Sequence, residues 1–93
     1  MKNNFQPIEK EVIKNLKFPK NDVLSDELEK KFRKIELERA LRLGNGEKVK
    51  FNIYFEDERA KLKVHTTIWG LTEDQVILKT GVTIPISRIH LLD

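Results

Sequence analysis

Between Lys48 and Gly70 apolar and polar residues alternate almost without interruption, and a period of two restricts this stretch to half-buried β-strand. Val49, Phe51, Ile53 and Phe55 make one apolar row, with Lys48, Lys50, Asn52, Tyr54 and Glu56 between them. Leu62, Val64, Thr66 and Ile68 make a second, with Lys61, Lys63, His65, Thr67 and Trp69 between them. Both rows must face the same side of a sheet, so an odd position on the first arm pairs with an even one on the second. The register that satisfies this sets Phe55 opposite Leu62, Ile53 opposite Val64, Phe51 opposite Thr66 and Val49 opposite Ile68. Residues 57–60 are then the turn, which contains no glycine pair and is expected to be a loose loop.

The remaining elements follow from local signals. Pro7 suits the first position of a short helix, with Ile8, Val12, Ile13 and Leu16 along one side and Lys10, Lys14 and Lys17 along the other. Phe18-Pro19 ends it, and residues 20–24 read as a linker. Ser25 is the expected N-cap of a second helix with Asp26, Glu27 and Glu29 in its first turn. Gly44-Asn45-Gly46 is expected to end that helix near Leu43 in a left-handed cap. At 100° per residue its apolar residues divide: Leu24, Leu28, Phe32, Ile35 and Leu43 fall on one side, Leu37, Ala40 and Leu41 on the other. Either one side packs on the sheet and the other on the first helix, or the Leu37, Ala40 and Leu41 side meets another protein or a second copy.

Beyond the hairpin, Gly70 is placed where a long strand would bend. Residues 76–79 and 82–84 read as short strands around a Thr80-Gly81 turn, residues 86–88 as a single helical turn, and residues 89–92 as a last strand. A chain of 93 residues has room for one core, so a single domain is expected, with a helical segment over residues 1–46 and a sheet segment over 47–93.

This order of elements resembles the Sm-like and SH3-like small barrels, above all in the closing run Gly81-Val82-Thr83-Ile84-Pro85-Ile86-Ser87-Arg88-Ile89. The resemblance implies an α+β fold in which N-terminal helices pack on a five-stranded, highly bent β-barrel. Phe5-Gln6-Pro7-Ile8 and Glu36-Leu37-Glu38 also resemble the Rho-binding antiterminators, small bacterial barrels that bind the termination factor Rho. No binding residue is carried over from that family.

Charge and composition narrow the function. The net charge is +3, and the basic excess lies in the helical half: 11 basic against 8 acidic residues up to Leu43, seven against seven from Gly44 onwards. With no cysteine there is no disulfide or thiolate metal site, and no apolar run has the length of a signal peptide core or a membrane span. A cytoplasmic protein is expected. The sequence holds no phosphate loop, nucleophile elbow or converging set of nucleophile, base and oxyanion donors, so no enzyme, no metal and no cofactor are expected.

The best binding surface in the sequence is the outer row of the hairpin: Lys48, Lys50, Tyr54, Lys63, His65 and Trp69. Aromatic rings among lysines can stack bases while the cations meet phosphates. The same row could instead serve as the floor on which the helices rest. The expectation is therefore a small regulatory module that binds a protein partner through the hairpin or the Leu37, Ala40 and Leu41 side of the helix, with RNA binding on the hairpin row as the alternative. Self-association through exposed strand edges, as in Sm-like rings, is compatible with either.

Overall fold

The computed structural model describes residues 2–93. Its dominant helix, α1, runs over Glu27–Glu47, and seven strands follow the order β1 (Gln6–Pro7), β2 (Phe51–Glu56), β3 (Lys61–Thr66), β4 (Ile68–Leu71), β5 (Gln75–Leu78), β6 (Thr83–Pro85) and β7 (Ile89–Leu92). The strands form two open sheets, one ordered β1-β3-β2-β7 and the other β4-β5-β6. The fold is α+β, but neither sheet closes, and the expected Sm-like or SH3-like barrel is corrected accordingly.

The reason lies at the ends of the hairpin. Phe51–Thr66, Ile53–Val64 and Phe55–Leu62 pair in the register set by the alternation. The fourth expected pair, Val49 with Ile68, does not form. Val49 is held at the exit of α1, where its N–H donates to the Leu43 carbonyl at 3.4 Å, and Ile68 pairs with Leu78 in the second sheet. The chain therefore changes sheets at the buried Thr67, rather than bending within one sheet at Gly70. Helical segments lie along both flanks of the sheet pair: α1 rests on β4 and β7, and a 3₁₀ segment, Lys10–Asn15, rests on β3 and β6.

The N-terminal segment departs from the expected helix in the same way. Gln6 and Pro7 run parallel to β3, opposite Leu62 and Lys63, and the Ile8 N–H donates to the Lys63 carbonyl at 2.9 Å. A proline on this edge leaves no donor for further strand addition. Ile13 is buried and Ile8 and Leu16 pack on the core, while Val12 stays exposed.

The N-cap of α1 is Asp26, one residue later than expected, and its carboxylate accepts from the Leu28 N–H at 2.9 Å. The helix continues through Gly44 and Gly46 and ends at Lys48, which carries the left-handed conformation at φ 57°. Gly44 serves approach rather than turning. A Cβ there would lie 2.6 Å from the Ile68 carbonyl oxygen and 3.0 Å from Thr67 Cγ2. Leu37, Ala40 and Gly44 share one side of the helix, and the two small residues let it sit close against β4. That side is core, which corrects its reading as a partner interface: Leu37 and Ala40 are buried and Leu41 packs beside them. The opposite side, with Leu28, Phe32 and Ile35, is left to solvent.

Residues 20–24 are not a loose linker. Arg33, buried, holds Asp22 through two hydrogen bonds of 2.8 and 2.7 Å and also donates to the Ile89 carbonyl at 3.0 Å. Arg88, also buried, donates to the Asn21 carbonyl at 2.8 Å and to the Glu56 carbonyl at 3.0 Å. Two guanidinium groups thus tie the connection between the N-terminal segment and α1 to β7 and to the end of β2.

Candidate functional site

The outer row of the hairpin is divided by the change of sheet at Thr67. Asn52–His65 and Tyr54–Lys63 are cross-strand neighbours on β2 and β3. Tyr54 is buried there. Phe5 packs edge-on against its ring with centroids 5.2 Å apart, and Lys63 Nζ lies 5.9 Å from the ring centre. What covers Tyr54 is therefore the N-terminal segment, neither α1 nor solvent. His65 is exposed, with Nδ1 3.1 Å from Asn52 Oδ1, whose amide nitrogen donates to Asp93 Oδ1 at 3.1 Å. Tyr54 and Lys63 thus meet beneath Phe5 at one end of the row, and His65 is engaged beside them with Asn52 and Asp93.

Lys48, Lys50 and Trp69 come together at the other end. They line a groove of about 700 Å³ with Gly44, Asn45, Thr67 and Lys79. Trp69 is 51% exposed, an unusual position for the largest apolar side chain in the protein. Three elements bring the residues to one place. The close approach of Gly44 to Ile68 sets the end of α1 over the start of β4; the left-handed turn at Lys48 directs the chain past it towards Lys50; and the turn after β5 brings in Lys79.

Three lysines and no acidic residue line the groove. Such a wall attracts anions, and the indole beside it offers a flat face for a ring to stack on. Lys79 has no place in the alternating pattern of the hairpin and was not foreseen; only the position of the β5–β6 turn brings it in.

No family model, curated protein or solved structure matches this chain. The two open sheets overturn the resemblance to Sm-like and SH3-like barrels, and with it the resemblance to the Rho-binding antiterminators, which implied a small barrel as well. Among the described residues no group of three histidine or acidic side chains is placed to hold a metal ion, and no helix is long and apolar enough to cross a membrane.

Proposed function

We propose that this chain is a binding module without catalytic activity that takes a short segment of single-stranded RNA in the groove at the end of α1. A base stacks on Trp69, and Lys48, Lys50 and Lys79 meet the neighbouring phosphates. The observation that carries this reading is the half-exposed Trp69 in a wall of three lysines with no acidic residue. Stacking on an aromatic side chain contributes about 1–3 kcal/mol per base and tolerates any base, while the cations supply the salt-dependent part of the affinity. The same reading has the protein work in the cytoplasm, in keeping with a chain free of cysteine.

Trp69 is the only tryptophan, so its fluorescence reports on the groove directly. Titration with a mixed-sequence single-stranded RNA at low salt is expected to quench that fluorescence with the same midpoint as the anisotropy of the labelled RNA. The logarithm of the affinity should fall against the logarithm of salt with a slope of about −2, at ~0.7 for each of three phosphate contacts to a single strand. Trp69→Ala should weaken binding by roughly 10- to 100-fold. Absence of binding at low salt, or binding that leaves the tryptophan fluorescence unchanged, would refute the assignment.

A protein-partner reading has to rest on a surface other than the two expected for it, the exposed apolar side of α1 with Leu28, Phe32 and Ile35, which lies towards the other end of the helix from Gly44 and Asn45.

A further inference from the structure

Leu28 and Phe32 of α1 are each 70% exposed and Ile35 is 59% exposed, on the side of the helix turned away from Leu37, Ala40 and Gly44. Leu91 of β7 is exposed as well, and it lines a shallow groove with Phe32, Glu29, Glu36, His90 and Leu92. Single exposed apolar residues need no explanation, but three on one helical line with a fourth beside them form a patch of the kind that marks an interface.

The spacing and the charges identify the occupant. Leu28, Phe32 and Ile35 are separated by four and then three residues, the seam spacing of a two-helix coiled coil. Lys31 and Glu36 lie five residues apart on opposite flanks of that seam, and in a parallel, in-register pair these are the flanking positions that face each other across it. An antiparallel pair would instead set each flank against itself, so that Glu29 meets Glu36 on one side while Lys31 meets Glu38 on the other and the two cancel, whereas the parallel pair sets Lys31 against Glu36 on both sides. The geometry points to a second copy of this chain as the partner, with the two α1 helices parallel about a two-fold axis.

The same pattern limits the contact. The next two seam positions are Arg39 and Arg42, so each would meet its own copy across the axis and force the helices apart. Glu36 also accepts from Arg39 Nε at 3.1 Å within its own helix, so Lys31 of the second copy shares an occupied carboxylate. Association is confined to the first part of α1 and to Leu91, and it should be weak and reversible. The groove at the far end of the helix stays open in such a dimer, so this inference does not depend on RNA binding.

Sedimentation equilibrium over a wide range of concentration should show a monomer–dimer equilibrium in the intact chain. Phe32→Glu should weaken the dimer by at least ~30-fold, as expected of a central aromatic anchor, with circular dichroism unchanged because the side chain is exposed. Lys31→Glu and Glu36→Lys should each weaken it, and the double exchange K31E/E36K should restore part of the loss. The chain has no cysteine, so Leu28→Cys adds the only thiol. In a parallel, in-register pair two such thiols meet and oxidation yields a covalent dimer. A strictly monomeric wild type, a dimer that survives Phe32→Glu, or no cross-link from Leu28→Cys would each overturn the inference.

Discussion

A side chain at Gly44 would place its Cβ 2.6 Å from the carbonyl oxygen of Ile68, so α1 and β4 touch backbone to backbone at this point. The contact fixes where the helix ends over the second sheet, and therefore where Lys48 and Asn45 stand relative to Trp69. Two residues further on, Gly46 has no atom within 4 Å of a hypothetical Cβ.

Replacing these two glycines by alanine should therefore have opposite effects. Gly44→Ala gains helix propensity but must push a backbone carbonyl aside, and a net loss of about 1–3 kcal/mol is expected. Gly46→Ala meets nothing and should stabilise the fold by about 0.5–1 kcal/mol. Urea unfolding midpoints of the two variants test this; equal shifts in one direction would contradict the close approach.

The pair between Arg33 and Asp22 should govern part of the acid stability. Hydrogen bonds from the Arg33 guanidinium hold the Asp22 carboxyl below its ordinary value of 3.8. A carboxyl whose pKa is depressed by folding binds protons more readily in the unfolded chain. Its stabilising contribution is therefore complete above about pH 4 and is lost as pH falls through the lower, folded value. Asp22→Asn should remove that part of the acid dependence. At neutral pH it should also cost about 3 kcal/mol, because the buried Arg33 loses its counter-charge. Unfolding free energies of both proteins from neutral to strongly acidic pH would show whether the curves converge on acidification, as this requires.

Lys48 occupies a left-handed conformation that costs a non-glycine residue about 1 kcal/mol. Lys48→Gly should then raise stability by up to about that amount, while flattening the salt dependence of RNA binding by ~0.7 for the lost phosphate contact. Thermal melting and salt-dependent titration of the same variant would separate the two. A variant that is neither more stable nor altered in its salt slope would argue against the role given to this residue.

Phe5 is the lid on Tyr54, and it also meets the His90 ring edge-on at 5.4 Å. Phe5→Ala should cost about 1 kcal/mol from the lost ring contacts and leave Tyr54 open to solvent. Tyr54 is the only tyrosine, so second-derivative ultraviolet absorbance reads its exposure without interference from another phenol. No change in that spectrum would mean that Phe5 does not cover it.

Much of the local structure was legible because it depends on neighbours in sequence. The alternation from Val49 to Ile68 yields the register of three hairpin pairs, and the run from Ile86 to Leu92 yields the 3₁₀ turn Ile86–Arg88 and strand β7. The turn at the hairpin tip is tighter than expected because Asp57, buried, accepts from the N–H groups of Arg59 and Ala60 at 2.9 and 2.8 Å. Asp57 stands two and three residues before those donors, so this too was a local signal, visible in the residue type.

The sequence by itself determined the strand periods, the extent of the hairpin, the presence of a long helix after residue 25 and the separation of the helix's apolar residues into two sets. Which set is core was decided only by the tertiary structure. Leu37 and Ala40 won because Ala40 and Gly44 allow the helix to approach β4 closely, a property of the surface opposite and not of the helix. The open sheets were decided in the same way. Val49 has the alternation of a strand residue, yet the exit of α1 captures its N–H, and the hairpin ladder ends one pair short. The outer row was divided as a result. Tyr54 went under Phe5, and Trp69 was left half-exposed with Lys48, Lys50 and a lysine from a distant turn. Period and propensity act over a few residues; the meeting of Trp69 with Lys79, like the burial of Arg33 and Arg88, depends on contacts between segments far apart in the chain, which no local pattern encodes.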